Sequence, residues 1–135
     1  MSVALYHLFR WVDQGIVPPR AERVLIDRNR DNDGSLMVLD KNGNPTGGIR
    51  NPYVDLPVAK YTARNTAAPT GGNAQLCGLS VYQTPLTKAK LKELHGNKDK
   101  FVKQVDARLK DLEKAGWSLP VYHDLILADA KAVEF

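Results

Sequence analysis

A chain of 135 residues that is 43% hydrophobic and 25% charged has the length of one domain and the balance of an ordinary soluble fold. No run approaches the ~20 apolar residues of a membrane span. The opening MSVALYHLFRW has neither the basic region nor the small-residue cleavage site of a signal peptide. The net charge of +4 comes largely from lysines interleaved with acids over residues 88–114. That is the composition of a solvated helix face, so neither a membrane nor a nucleic acid is expected as a partner.

In chain order, residues 2–14 are predicted as an amphipathic helix. Ser2 is a suitable N-cap, Ala4, Leu5, Leu8, Trp11 and Val12 follow three-to-four spacing, and Gly15 sits where a left-handed residue ends a helix. Ile16 to Pro19 then leave as an extended exit. Val24 to Ile26 and Leu36 to Leu39 are predicted as two short strands around the polar loop DRNRDNDGS. Asp40-Lys41-Asn42-Gly43 carries the Asn-Gly hairpin signal.

Residues 43–85 are the most informative stretch. Five prolines (Pro45, Pro52, Pro57, Pro69 and Pro85) exclude a long helix, and Gly47-Gly48 and Gly71-Gly72 add backbone freedom. Yet Ile49, Tyr53, Leu56, Tyr61, Leu76 and Tyr82 give the same stretch an apolar, aromatic character. A long irregular segment of this kind is expected to wrap a surface rather than hang free. Beyond it, Thr87 and Asn97 are predicted N-caps of two helices, through His95 with Gly96 as terminator and through Ala115 with Gly116 as terminator. The apolar face of the second comprises Phe101, Val102, Val105, Leu109 and Leu112. Pro120 suits the first turn of a last helix running to about Val133, with Leu125, Ile126, Ala128 and Ala130 as a weaker face.

Candidate chemistry is sparse. Asn29-Arg30-Asp31-Asn32-Asp33-Gly34, with Leu36 and Asp40, resembles a calcium loop. Asn replaces the first Asp, Asp replaces the last Glu, the flanks read as strands rather than helices, and Arg28 and Arg30 add positive charge where a dication would sit, so a polar hairpin loop is the favoured reading. His7, His95 and His123 lack metal-ligand spacing, and neither a metal nor a cofactor is expected. Gly78-Leu79-Ser80-Val81-Tyr82 lacks the closing glycine of a nucleophile elbow. A set of Ser80, His95 or His123, and Asp55 can be drawn only arbitrarily. Cys77 is the single cysteine, which excludes an internal disulfide; a free, buried thiol is expected, or a pairing with a cysteine elsewhere in a longer chain. Arg50 and Asp55 bracket Tyr53 in a proline-fixed segment, able to reach a ligand or to pair with each other.

Trp11-Val12-Asp13-Gln14-Gly15-Ile16-Val17-Pro18-Pro19 is similar to the pattern on the last helix of the α/β-hydrolase fold, as in tannase-like and related esterases. The run from Gly47-Gly48-Ile49-Arg50 through Tyr53, Asp55 and Pro57-Val58-Ala59 resembles the C-terminal region of a group of bacterial α/β-hydrolase-domain proteins. Leu76-Cys77-Gly78-Leu79, Thr84-Pro85-Leu86 and Ala115-Gly116-Trp117-Ser118-Leu119-Pro120 continue the resemblance in the same order. It implies ester hydrolysis by an acyl-enzyme route in the full-length protein. It carries over no catalytic residue, because the family's serine and histidine motifs, which lie upstream in the family, have no match here.

The expected fold is therefore an α+β fragment of an α/β-hydrolase fold, mainly helical, with a short β-hairpin region and a long irregular proline- and glycine-rich middle. Residues 1–19 would form the terminal helix of the hydrolase core, 20–86 the hairpin and wrapping segment, and 87–135 a helical tail. The expected function is to complete that fold without catalysis of its own. Arg50, Tyr53, Asp55 and Tyr61 would be the substrate-pocket candidates, and the partner would be a missing N-terminal hydrolase portion or a partner chain, a second copy included. The alternative is a stand-alone interaction module or subunit. Cellular compartment stays open.

Overall fold

The computed structural model describes residues 2–27, 37–62 and 73–135. The calcium-like stretch 29–34, Leu36, and Gly71-Gly72 lie outside the described residues.

The first helix, α1 (Val3–Gln14), has its sequence-predicted ends. Ser2 Oγ accepts from Leu5 N–H at 3.2 Å, and Gly15 stops the helix at φ 66°. Its apolar face is not where the helix attaches. Leu5 and Leu8 are open to solvent, and Trp11 and Val12 are 52% and 74% exposed. The one buried residue is His7, whose Nε2–H donates to Gly116 O at 2.6 Å. A carbonyl only accepts, so this contact fixes the ring tautomer.

The expected strands at 24–26 and 36–39 appear only as isolated antiparallel bridges: Ile26 with Met37, Val24 with Gly47, and Leu39 with Pro45. Pro45 has no N–H to continue a ladder, and Gly47 sits at φ 74°. What forms instead is a closed triangle of backbone hydrogen bonds. Leu25 N–H donates to Thr46 O, Thr46 N–H to Val38 O, and Val38 N–H to Leu25 O, at 2.9–3.0 Å. The Asn-Gly turn closes one side of it. Asp40 Oδ1 accepts from the N–H groups of Asn42 (2.8 Å) and Asn44 (3.0 Å), and Asp40 N–H donates to Asn44 O at 2.8 Å. A Cβ on Gly47 would lie 2.4 Å from Arg23 O. Gly47→Ala is therefore expected to cost about 2 kcal/mol, through left-handed strain and a backbone clash. Urea unfolding would read this as a lower midpoint with an unchanged slope.

The middle segment is more regular than its composition implied. It holds α2 (Pro52–Asp55), β1 (Ala59–Thr62), α3 (Ala74–Leu79) and β2 (Tyr82–Pro85). Asn51 caps α2, its Oδ1 accepting from Val54 N–H at 3.3 Å, and Pro52 takes the first helical position, where a missing N–H does no harm. β1 and β2 pair antiparallel, with Ala59 opposite Pro85 and Thr62 opposite Tyr82. Cys77 on α3 is free and half-buried rather than buried, and its neighbours Leu76 and Leu79 are exposed.

The C-terminal part is helical: α4 (Lys88–His95), α5 (Lys98–Lys114), a 3-10 turn at Pro120–Tyr122, and α6 (His123–Ala132). Thr87 and Asn97 cap α4 and α5, accepting from Lys90 N–H at 3.2 Å and Lys100 N–H at 2.9 Å. The core forms where α5 meets α6. Phe101, Val105, Leu109 and Ala130 are buried there, with Leu56 and Val58 packed on from the middle segment and Ile126 and Leu127 from α6. Leu125, expected on the apolar face of the last helix, is instead exposed. His95 donates to Pro57 O at 2.9 Å and lies 4.9 Å from the Phe101 ring, so it is a core histidine.

Candidate functional site

The four pocket candidates separate into two pairs. Arg50 and Asp55 belong to a network of charges joining the Asp40 turn, α2 and α5. Arg50 Nε donates to Asp55 Oδ1 at 2.6 Å, and its Nη2 donates to Asp40 Oδ2 at 2.9 Å and Val54 O at 3.1 Å. Its Nη1 donates to Pro45 O. Arg108 closes the network from α5. Its Nη2 donates to Arg50 O at 2.8 Å, and its Nε lies 2.7 Å from Asp55 Oδ2, as an ion pair not aligned for a hydrogen bond. Burial works against the charge on Arg50, but the hydrogen bonds to Asp55 and Asp40 outweigh it and hold the guanidinium further up its range. Likewise burial opposes ionisation of Asp40, and the N–H groups of Asn44 and Asn42 together with Arg50 overcome it, holding the carboxyl below its ordinary value. Each of the three guanidinium nitrogens of Arg50 has an acceptor within the chain, so this pair acts as a strut.

Tyr53 and Tyr61 face a different place. Both line a cavity of about 200 Å³ between α2, the β1–β2 pair, α5 and α6. Its floor is apolar, from Leu56, Val58, Val105, Ile126 and Ala130. At its rim Tyr53 Oη donates to Asp129 Oδ2 at 2.6 Å. Burial, then the hydrogen bond to Asp129, push the Tyr53 phenol up to about 12, and burial also raises Tyr61. Both phenols therefore stay protonated and act as donors at neutral pH.

The remaining reactive groups are committed elsewhere. Ser80 Oγ donates to Leu76 O at 3.1 Å, across the last turn of α3. His123 lies between two carboxylates of α5, Nδ1 at 2.7 Å from Glu113 Oε1 and Nε2 at 2.9 Å from Asp106 Oδ1. Asp55 serves the arginines. The arbitrary set of serine, histidine and aspartate is thus not assembled. Among the described residues no group of three or more His, Cys, Asp or Glu is placed to hold a metal ion, and no helix is long and apolar enough to cross a membrane.

A carboxylate accepts only, so both ring nitrogens of His123 bond fully only when each carries a proton. The hydrogen bonds to Glu113 and then Asp106 raise its pKa above the ordinary 6.5. Asp106 is lowered by Lys110 first and by His123 next. The raised histidine contributes stability that is complete below about pH 6.5 and lost as pH climbs through its higher folded value; the lowered aspartate contributes stability that disappears as pH falls below its ordinary 3.8. Unfolding free energy is expected to fall between neutral and mildly alkaline pH. His123→Gln should flatten that slope, as measured by urea unfolding across pH.

Sequence reasoning missed Asp129, Arg108, Glu113 and Asp106 as partners. Arg108 alone left a trace: it is the single arginine among eight lysines from Lys88 to Lys114. A planar, forked cation is favoured where several acceptors must be met at once.

A family model described as "alpha/beta hydrolase domain" matches residues 1–128. No curated protein matches the chain, and no solved structure does.

Proposed function

Because the chain belongs to the alpha/beta hydrolase domain family, we propose that it serves as the C-terminal, non-catalytic portion of a serine-hydrolase-like protein acting on ester bonds. It completes that fold and contributes Tyr53 and Tyr61 to the pocket mouth. The observation that carries this reading is the open apolar face of α1, where Leu5, Leu8, Trp11 and Val12 meet solvent on a well-capped helix. An apolar surface gathered on one side of a helix is stabilised by being covered, and a patch of this kind marks an interaction surface. Ser80, His95 and His123 support the same reading, since each is hydrogen-bonded away from the others.

A fluorophosphonate probe added to the chain tests the non-catalytic part. No serine is expected to react, and stoichiometric labelling of any serine overturns the reading. Light scattering tests the surface: self-association that weakens in Trp11→Glu is expected. A strictly monomeric chain that ignores this substitution would count against a covered face.

A further inference from the structure

We propose that the cavity bounded by Tyr53, Tyr61 and Asp129 binds a small, uncharged molecule bearing one hydroxyl group, of about the size of phenol. The inference rests on reading Tyr53 and Tyr61 as pocket residues, and is independent of any hydrolytic activity.

Size sets the first limit. A dry cavity of roughly 150 Å³ accommodates a benzene-sized molecule. At about 200 Å³ this one takes a six-membered ring and one substituent. The floor sets the second limit. Leu56, Val58, Val105, Ile126 and Ala130 offer no polar side-chain partner, so a charge placed there would lose its hydration without compensation.

The rim sets the third. Tyr53 occupies only Oδ2 of Asp129. Asp129 lies at the exposed edge of the cavity, and its Oδ1 has no hydrogen-bond partner among the described residues. Tyr61 also lines the cavity, and its side chain has no hydrogen-bond partner among the described residues. Asp129 thus offers an acceptor and Tyr61 a donor beside an apolar lining, with the Gln83 amide at its exposed strand. A hydroxyl group satisfies both, donating to Asp129 and accepting from Tyr61. A ligand carboxylate or phosphate would instead meet the Asp129 charge. Burial keeps Tyr61 protonated, so its donor persists at neutral pH.

The test uses the full chain with labelled methyl groups and three probes: phenol, toluene and benzoate. Phenol is expected to shift the methyl signals of Val58, Val105 and Ile126 saturably in the millimolar range. Toluene should bind about tenfold more weakly, having lost both hydrogen bonds, one of them to a charged acceptor. Benzoate should bind more weakly than phenol. Tyr61→Phe should weaken phenol about fivefold and leave toluene unchanged, while methyl signals remote from the cavity report an intact fold. The proposal is overturned by any of four results: no saturable shift with phenol, toluene binding as tightly as phenol, benzoate binding more tightly, or Tyr61→Phe leaving phenol unaffected. Serine labelling by a fluorophosphonate leaves this titration untouched, so the two readings fail separately.

Discussion

Leu109→Ala is expected to lower the unfolding free energy by about 3–4 kcal/mol, the upper-middle range for removing a large aliphatic side chain from a tight core. Leu109 is 0% exposed and lies at the centre of the α5 face, in one cluster with Phe101, Val105 and Ala130. Two costs add. The removed atoms forfeit their transfer from water, and the helices on either side cannot close fully over the void. A single domain commonly has only ~5–15 kcal/mol of total stability, so the loss is a large fraction of the whole. Thermal unfolding should show a midpoint lower by about 10–15 °C. Val102→Ala, one position off the buried stripe, should cost much less, because Val102 is only partly buried. Equal losses at the two positions would mean that the α5–α6 seam is not the core.

Arg50→Ala is expected to cost about 3 kcal/mol, although the residue is a fifth exposed and stands outside the hydrophobic cluster. The effect comes from what the guanidinium leaves behind. Asp40 and Asp55 would remain half-buried, with Arg108 alone close to Asp55, and the carbonyls of Pro45 and Val54 would lose a donor. Stranded acceptors of this kind cost more than the lost bonds themselves contribute. Arg50→Lys should restore little. An ammonium cannot reach two carboxylates and two carbonyls lying in different directions, whereas a fork of N–H groups can. Tyr53→Phe, by comparison, removes one rim hydrogen bond and should cost under about 1 kcal/mol. Equilibrium urea unfolding of the three variants separates the strut from the cavity. If Arg50→Lys proved as stable as the parent, the network would be a loose surface arrangement.

The elements legible in the sequence were those whose signals are local. Ser2, Thr87 and Asn97 are side chains that bond N–H groups three residues away, and Gly15 and Gly96 need only their own backbone freedom. The α5 face was legible because Phe101, Val105, Leu109 and Leu112 repeat within a single helix. β1 and β2 were not, because residues Tyr82 to Pro85 are all exposed and no buried face imposes alternation on them. The short α2 was hidden by treating Pro52 only as a breaker, when Asn51-Pro52 is itself a cap followed by a first helical position.

The site divided along the same line. Tyr53 and Tyr61 were singled out from a proline-fixed aromatic segment, but Asp129 is 76 positions away from Tyr53 and carries no local mark. Arg50 and Asp55 are visible in the sequence as a pair able to bond each other. Nothing near them indicated that Asp40 and Arg108 would close the network on two further sides. The amphipathic stripe of α1 gave the helix correctly; which surface covers a stripe depends on distant residues that periodicity does not name.

The ring of bonds among Leu25, Val38 and Thr46 has a kinetic corollary. Each segment holds one neighbour and is held by the other, so no member can leave without loosening both remaining contacts. In deuterated solvent these three amide protons should therefore be replaced at one common rate, by a single opening event, and Gly47→Ala should accelerate all three together. Two hydrogen-bonded strands usually fray from an end; a closed loop of this kind has none.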